Sequence, residues 1–139
     1  MIISICGSLK FYQEMRLAQK QLKLLGHKAL VPKSLSLIEK KKFTKPKTVK
    51  ERMAAEKKYD FIREHFKKIE RSEAILVVNE DKKGVKGYIG GNTFLEMGIA
   101  FYLNKKIYLM KPIPKMEYEL ELQAMRPIVL GGDLTKLRV

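Results

Sequence analysis

The chain has 139 residues, enough for one ordinary domain with a substantial core and too few for two. Apolar residues make up 45% and charged residues 32%, and no apolar run approaches the roughly 20 residues of a membrane helix, which excludes a spanning segment. A formal charge of +14 points to anions as partners, while one cysteine and two histidines exclude an intramolecular disulfide and a structural zinc cluster; no metal and no organic cofactor is implied.

Residues 1–6 lack the basic lead and long apolar stretch of a secretory signal, so the sequence predicts a cytoplasmic protein. Ile2, Ile3, Ile5 and Cys6 form a β-prone run ending at Gly7-Ser8, as a strand buried on both faces and closed by a tight turn would. Phe11, Met15, Ala18, Leu22 and Leu25 then recur at spacings of four and three, lining one helix face, with Gly26 as the left-handed stop. A second strand over residues 28–31 closes at Pro32. A lysine-rich loop follows, residues 35–50, in which Lys40, Lys41, Lys42, Lys45, Lys47 and Lys50 surround Pro46. A solvated surface is its plain explanation; a basic lid over an anionic substrate is the functional one, and a nucleic-acid arm is the less favoured alternative.

From about Thr48 a helix runs to Arg71, with Tyr59, Ile62, Phe66 and Ile69 as its apolar stripe. Residues 74–78 are the most β-prone run, and a charged, glycine-containing loop leaves their carboxyl end. Asn92 or Thr93 caps a helix to Leu103, residues 107–110 make a fourth strand, 117–125 a short helix and 128–130 a fifth strand. Alternating strands and helices predict a single α/β domain over residues 1–139: a doubly wound, Rossmann-like or flavodoxin-like, mostly parallel five-stranded sheet with helices on both faces. Ligands of such sheets bind outside the carboxyl ends of the strands, here at residues 7–11 and 79–93.

Between Asn92 and Asn104 the only charged side chain is Glu96. A helix so apolar around its circumference is expected to be buried, and a buried carboxylate needs a reason. One reading places Glu96 in the first turn, ionised by backbone N–H groups beside a glycine loop, as an anionic nucleophile or base. The competing reading is a capping box, Thr93-x-x-Glu96, in which the carboxylate only bonds back to the helix start. Gly98 inside the helix suggests close approach of another backbone or a substrate. Gly7-Ser8 offers N–H groups and a hydroxyl for a phosphate, but the chain has neither a dinucleotide fingerprint nor a P-loop.

The segments Ile5-Cys6-Gly7-Ser8-Leu9-Lys10, Gly26-His27, residues 72–79 and residues 90–100 together resemble the nucleoside 2-deoxyribosyltransferase superfamily, and within it are most similar to 2'-deoxynucleoside 5'-phosphate N-hydrolases. The resemblance spans residues 2 to 110 and implies an enzyme whose glutamate attacks C1' of the sugar, expels the base and forms a glycosyl ester. It implies that Glu96 is this nucleophile. Cys6, Gly7, Ser8, Lys10 and Phe11 on one side, and Asn79, Gly90, Gly91 and Asn92 on the other, are then the candidate substrate-binding residues, Ser8 holding a 5'-phosphate or sugar hydroxyl. Where the family has an aspartate on the helix before the third strand, this chain offers His65, either as a proton donor or as an ordinary surface histidine. The aspartate that transferases carry shortly before the nucleophile is replaced by Gly90, Gly91 and Asn92, so hydrolysis is expected over transfer. The family's dimers imply a homodimer to which Phe94, Phe101 and Tyr102 contribute, although core packing explains those residues equally well. The implied substrate is a nucleotide or nucleoside; the alternatives are a deoxyribosyltransferase, a non-catalytic nucleotide-sensing domain, and a basic nucleic-acid-binding protein.

Overall fold

The computed structural model describes residues 1–137. Strands β1 (Ile2–Cys6), β2 (Lys28–Leu30), β3 (Ala74–Val77), β4 (Lys106–Leu109) and β5 (Ile128–Val129) form one sheet in the order β2-β1-β3-β4-β5, every neighbouring pair parallel. The order reverses between β1 and β3, which is the doubly wound arrangement that the alternating pattern predicts.

Because successive strand residues point to opposite faces, the sheet builds two cores. Ile3, Ile5, Ala74, Leu76 and Tyr108 meet Met15, Ala18 and Leu22 of α1 (Tyr12–Leu24) on one face. On the other, Cys6, Ile75, Val77, Ile107 and Leu109 meet Ile69 of α4 (Phe61–Arg71) and Met97 and Ala100 of α5 (Gly91–Tyr102). Gly26 ends the first crossover with φ at +90°, as its C-terminal position requires.

The middle of the chain departs from expectation in two places. The lysine-rich stretch is not all loop: α2 (Lys33–Glu39) forms directly after Pro32 because Leu35 buries itself completely in the α1 core. Residues 48–71 are two helices, α3 (Val49–Tyr59) and α4, since Asp60 takes the left-handed conformation (φ 54°) that a short polar side chain tolerates. Across that break Glu56 accepts a hydrogen bond from the Ile62 backbone. Phe43 then packs edge-on against Tyr59 and Phe61, with centroids 5.6 and 5.3 Å away, and ties the irregular segment before α3 to the joint.

A third correction concerns Asn79. The side chain expected to meet substrate is fully buried and serves the fold. Its Nδ2 donates to the carbonyls of Gly87, Lys111 and Pro112 at 3.0–3.3 Å, and its Oδ1 accepts from the Lys111 backbone at 3.0 Å. It thereby closes the loop after β3 onto the loop after β4, the latter leading to α6 (Glu119–Ala124). Replacing it by alanine leaves these main-chain groups unpaired, so Asn79→Ala is expected to cost about 2–3 kcal/mol, measured by urea unfolding of the two proteins.

Candidate active site

The chain leaves β1 toward α1 and β2, and leaves β3 toward α5 and β4, so the two exits diverge and open a crevice at the strands' carboxyl ends. Gly7 makes the first exit possible: a Cβ there would lie 2.9 Å from the Val78 carbonyl oxygen. Ser8 caps the short 3-10 turn Leu9–Phe11, its Oγ accepting from the Lys10 N–H at 3.4 Å and from the Lys82 ammonium at 3.0 Å. Gly90, Gly91, Asn92 and Thr93, with Tyr88, form the facing wall of a cavity of about 340 Å³, within the usual range for a small-molecule site.

Glu96 lies in this cavity wall and is 9% exposed. The helix that carries it starts two or three residues before the sequence suggests: Gly90 is the cap and Thr93 sits inside the first turn. Glu96 therefore belongs to the second turn, and the capping-box arrangement is not formed. Its carboxyl group lies within 4.8 Å of the buried Cys6 sulfur and stands 3.9 Å from His65 Nε2.

His65 is not a surface residue. It lies four residues from both Phe61 and Ile69, on the inward stripe of α4, and is 2% exposed. Along β1 the carbonyls alternate in direction; that of Cys6 accepts from Val78 on the β3 side, so that of Ile5 points toward β2. There β2 has already ended, its last ladder position being Leu30 opposite Ser4, and His65 Nε2–H donates to the Ile5 oxygen at 2.9 Å instead. Cys6 Sγ lies 3.6 Å from the same nitrogen. The Nδ1 atom of His65 is buried without a partner.

Burial governs the charges here. Loss of solvent raises the Glu96 carboxyl to a pKa of about 8, against a smaller opposing effect of the Cys6 hydrogen bond. Burial, assisted by the Lys68 charge, lowers His65 to about 4, and burial followed by the nearby Glu96 raises the Cys6 thiol well above its ordinary range. At neutral pH the 3.9 Å Glu96–His65 approach thus joins two mostly neutral groups rather than an ion pair. The carboxylate expected to be ionised by its helix is instead a predominantly protonated acid at neutral pH.

Sulfur, imidazole nitrogen and carboxylate oxygen lie within 4.8 Å of one another, a donor set suited to a soft divalent ion. Ligation would require the thiol to lose a strongly held proton and the imidazole to abandon Ile5 or use Nδ1, so the triad is arranged for its internal hydrogen bonds first.

Of the residues singled out from the sequence, Gly7, Ser8, His65, Gly90, Gly91, Asn92 and Glu96 line one cavity, and Cys6 lies beneath it against Glu96. Phe11 does not take part, being a core residue under α1 that is 3% exposed. Lys10 is exposed and opens onto a shallower neighbouring depression. The sequence reading missed Lys82, Tyr88 and Arg52 as lining residues, and the only signal for the basic side was the density of lysines around Pro46. Nor is α5 buried all round: Leu95, Phe101 and Tyr102 are exposed, and nothing lies within 4 Å of a Cβ placed on Gly98. Phe94 is the exception, stacking on Tyr118 at 4.3 Å.

No family model and no curated protein matches the chain in sequence. Among solved structures it is similar to a 2-deoxyribosyltransferase from Bacillus psychrosaccharolyticus, with a TM-score of 0.53 and 16% identity over 78% of this chain and 71% of that one. At that identity the likeness is one of fold. No helix among the described residues is long and apolar enough to cross a membrane.

The shifted groups predict how stability depends on pH. Between pH 4.5 and 8 folded Glu96 holds a proton that the unfolded chain has released, so its contribution falls as pH rises. Between pH 6.5 and 4 folded His65 is neutral where the unfolded chain is charged, so its contribution falls as pH drops. The two offset each other from 4.5 to 6.5, and above 6.5 Glu96 acts alone. Urea unfolding should therefore show a loss of about 2 kcal/mol between pH 6.5 and 8, absent in Glu96→Gln.

Proposed function

We propose that this chain belongs to the nucleoside 2-deoxyribosyltransferase superfamily and is an N-glycosidase that hydrolyses the N-glycosidic bond of a (deoxy)nucleoside 5'-monophosphate, with Glu96 as nucleophile. The observation that carries this reading is the placement of Glu96: a nearly dry carboxyl group in the wall of a ligand-sized cavity, which a serine and a lysine suited to a phosphate also line. The fold likeness to a 2-deoxyribosyltransferase supports it.

In the proposed reaction Ser8 and Lys82 hold the 5'-phosphate and so set the sugar's C1' against Glu96. The carboxylate oxygen forms a bond to C1' as the C1'–N bond breaks, its electron pair leaving with the base together with a proton. With His65 committed to Ile5 and neutral, that proton comes from pocket water, which recovers it when water later attacks C1'. His65 is assigned to holding the β1 end and orienting Cys6 and Glu96. Water then attacks C1', releasing the sugar phosphate and restoring the carboxylate. We assign this activity on phosphorylated metabolites to the cytoplasm. The exposed Leu95–Phe101–Tyr102 face of α5 is the proposed seat of a second copy, whose backbone Gly98 would admit at close range.

Three outcomes follow. Chromatography of nucleotides incubated with the protein should show free base, reduced about 10³-fold or more in Glu96→Gln; saturable binding without base release would instead establish a sensing domain, and base exchange on adding a second nucleobase a transferase. The pH profile of kcat/KM should rise tenfold per unit toward a plateau near pH 8, as the fraction of ionised Glu96 grows. In sedimentation, the wild type should run as a dimer that Tyr102→Lys converts to monomer, since a charge on that face opposes an apolar interface.

A further inference from the structure

The phosphate-facing side of the cavity holds more positive charge than a monophosphate uses. Lys33, Lys45, Lys47, Arg52, Lys82 and Lys83 all line it, drawn from the start of α2, the segment before α3, α3 itself and the loop after β3. None of the six forms an ion pair with a carboxylate among the described residues, although the molecule pairs cations elsewhere, as in Arg16–Glu39 and Lys111–Glu80. Their convergence is held in place. Phe43 packs edge-on against the stacked Tyr59–Phe61 pair, and Pro46 stiffens the four residues that separate Phe43 from α3's cap, Thr48, so Lys45 and Lys47 are held at the cavity wall. Lys82 is fixed on Ser8 and lies 5.1 Å from the Tyr88 ring centroid.

The six charges also act on one another. After burial, repulsion from Lys45, Lys83, Lys10 and Arg52 lowers the Lys82 ammonium. Uncompensated like charges around a concave site raise its potential and favour a polyanion. Ser8 and Lys82 suffice for one phosphate next to the sugar; Lys45, Lys47 and Arg52 line the same cavity from α3 and the segment before it, elements separate from Glu96's own helix.

Resting on the hydrolase reading for the position of the sugar, we propose that the pocket takes a nucleoside di- or triphosphate, its outer phosphates held by Lys45, Lys47 and Arg52. The reaction at C1' is unchanged, and the sugar leaves with its phosphate chain intact.

The test uses the full chain carrying Glu96→Gln, so that binding is read without turnover. Isothermal titration at physiological salt with deoxyadenosine mono-, di- and triphosphate should give dissociation constants that fall stepwise, by about tenfold or more from mono- to triphosphate. Adding Lys45→Ala and Arg52→Ala should weaken the triphosphate at least about fivefold more than the monophosphate. Adding Lys23→Ala, an exposed change on α1, should affect both alike. Equal affinity across the series, a gain that survives Lys45→Ala and Arg52→Ala and so reflects diffuse charge, or tighter binding of a 5'-phosphorylated oligonucleotide than of the triphosphate overturns the proposal. Base release by the wild type separates the two readings: release with flat affinities keeps the hydrolase and rejects the outer-phosphate site, while graded, variant-sensitive affinities without release keep the site and reject the hydrolase.

Discussion

The constraint on which the site depends is the dryness of one carboxyl group. Glu96 sits where β1 ends, over a thiol and an imidazole that are themselves buried, and no cation stands within ion-pair distance of it among the described residues. An ionised carboxylate in such a place lacks the hydration that stabilises it in water, which is why it holds its proton to about pH 8. Everything that surrounds it follows from keeping water away from one side and admitting a ligand on the other. Core residues of the sheet's second face seal the base of α5, and the glycines before it leave the mouth open.

The fold supplies that asymmetry through small local facts about strands. β2 is only three residues long, so the last carbonyls of β1 lack a ladder partner on that side. A buried unpaired carbonyl is costly, and His65 on α4 satisfies it. The same bond fixes the ring next to Cys6 and Glu96, and so couples the position of a helix to the floor of the crevice. At the other exit, Asn79 does for the β3 loop what His65 does for β1, exchanging four hydrogen bonds with main chain that would otherwise wander. Polar side chains near such sites divide between those that face the ligand and those that hold the walls.

That division explains what was legible in the sequence. The strands were readable because both faces of a parallel sheet are buried and their runs are nearly continuous in apolar residues; α1 was readable from Met15, Ala18 and Leu22 and its Gly26 stop. Glu96 stood out as a lone charge in an apolar helix, a signal that burial alone creates. Its helix turn was misplaced because Asn92 and Thr93 are good caps locally, whereas the β3 loop, tied down by Asn79, begins the helix at Gly90. The burial of His65 had a local signal, its spacing of four from Phe61 and Ile69, which extends the stripe through it. Asn79 had none, because its partners at Lys111 and Pro112 are more than thirty residues away. The same distance hid the meeting of Lys45 and Arg52 with Lys82, which no periodicity encodes.

The dry carboxyl and the basic rim pose a common electrostatic problem. The influences that shift Glu96 are burial and the Cys6 thiol, so the rim does not ionise the carboxyl. In the proposed complex a phosphate chain brings only negative charge, which gives the carboxyl no reason to lose its proton. In the proposed reaction the charge that can favour ionised Glu96 is the positive charge that grows on the sugar's anomeric carbon as the bond to the base lengthens. A carboxylate that is poorly stabilised before that moment and well matched during it binds the transition state better than the ground state, which is the condition for acceleration. On the proposed reading the rim and the carboxyl act at different stages: the first captures and orients an anion, and the second gains its counter-charge as the bond breaks.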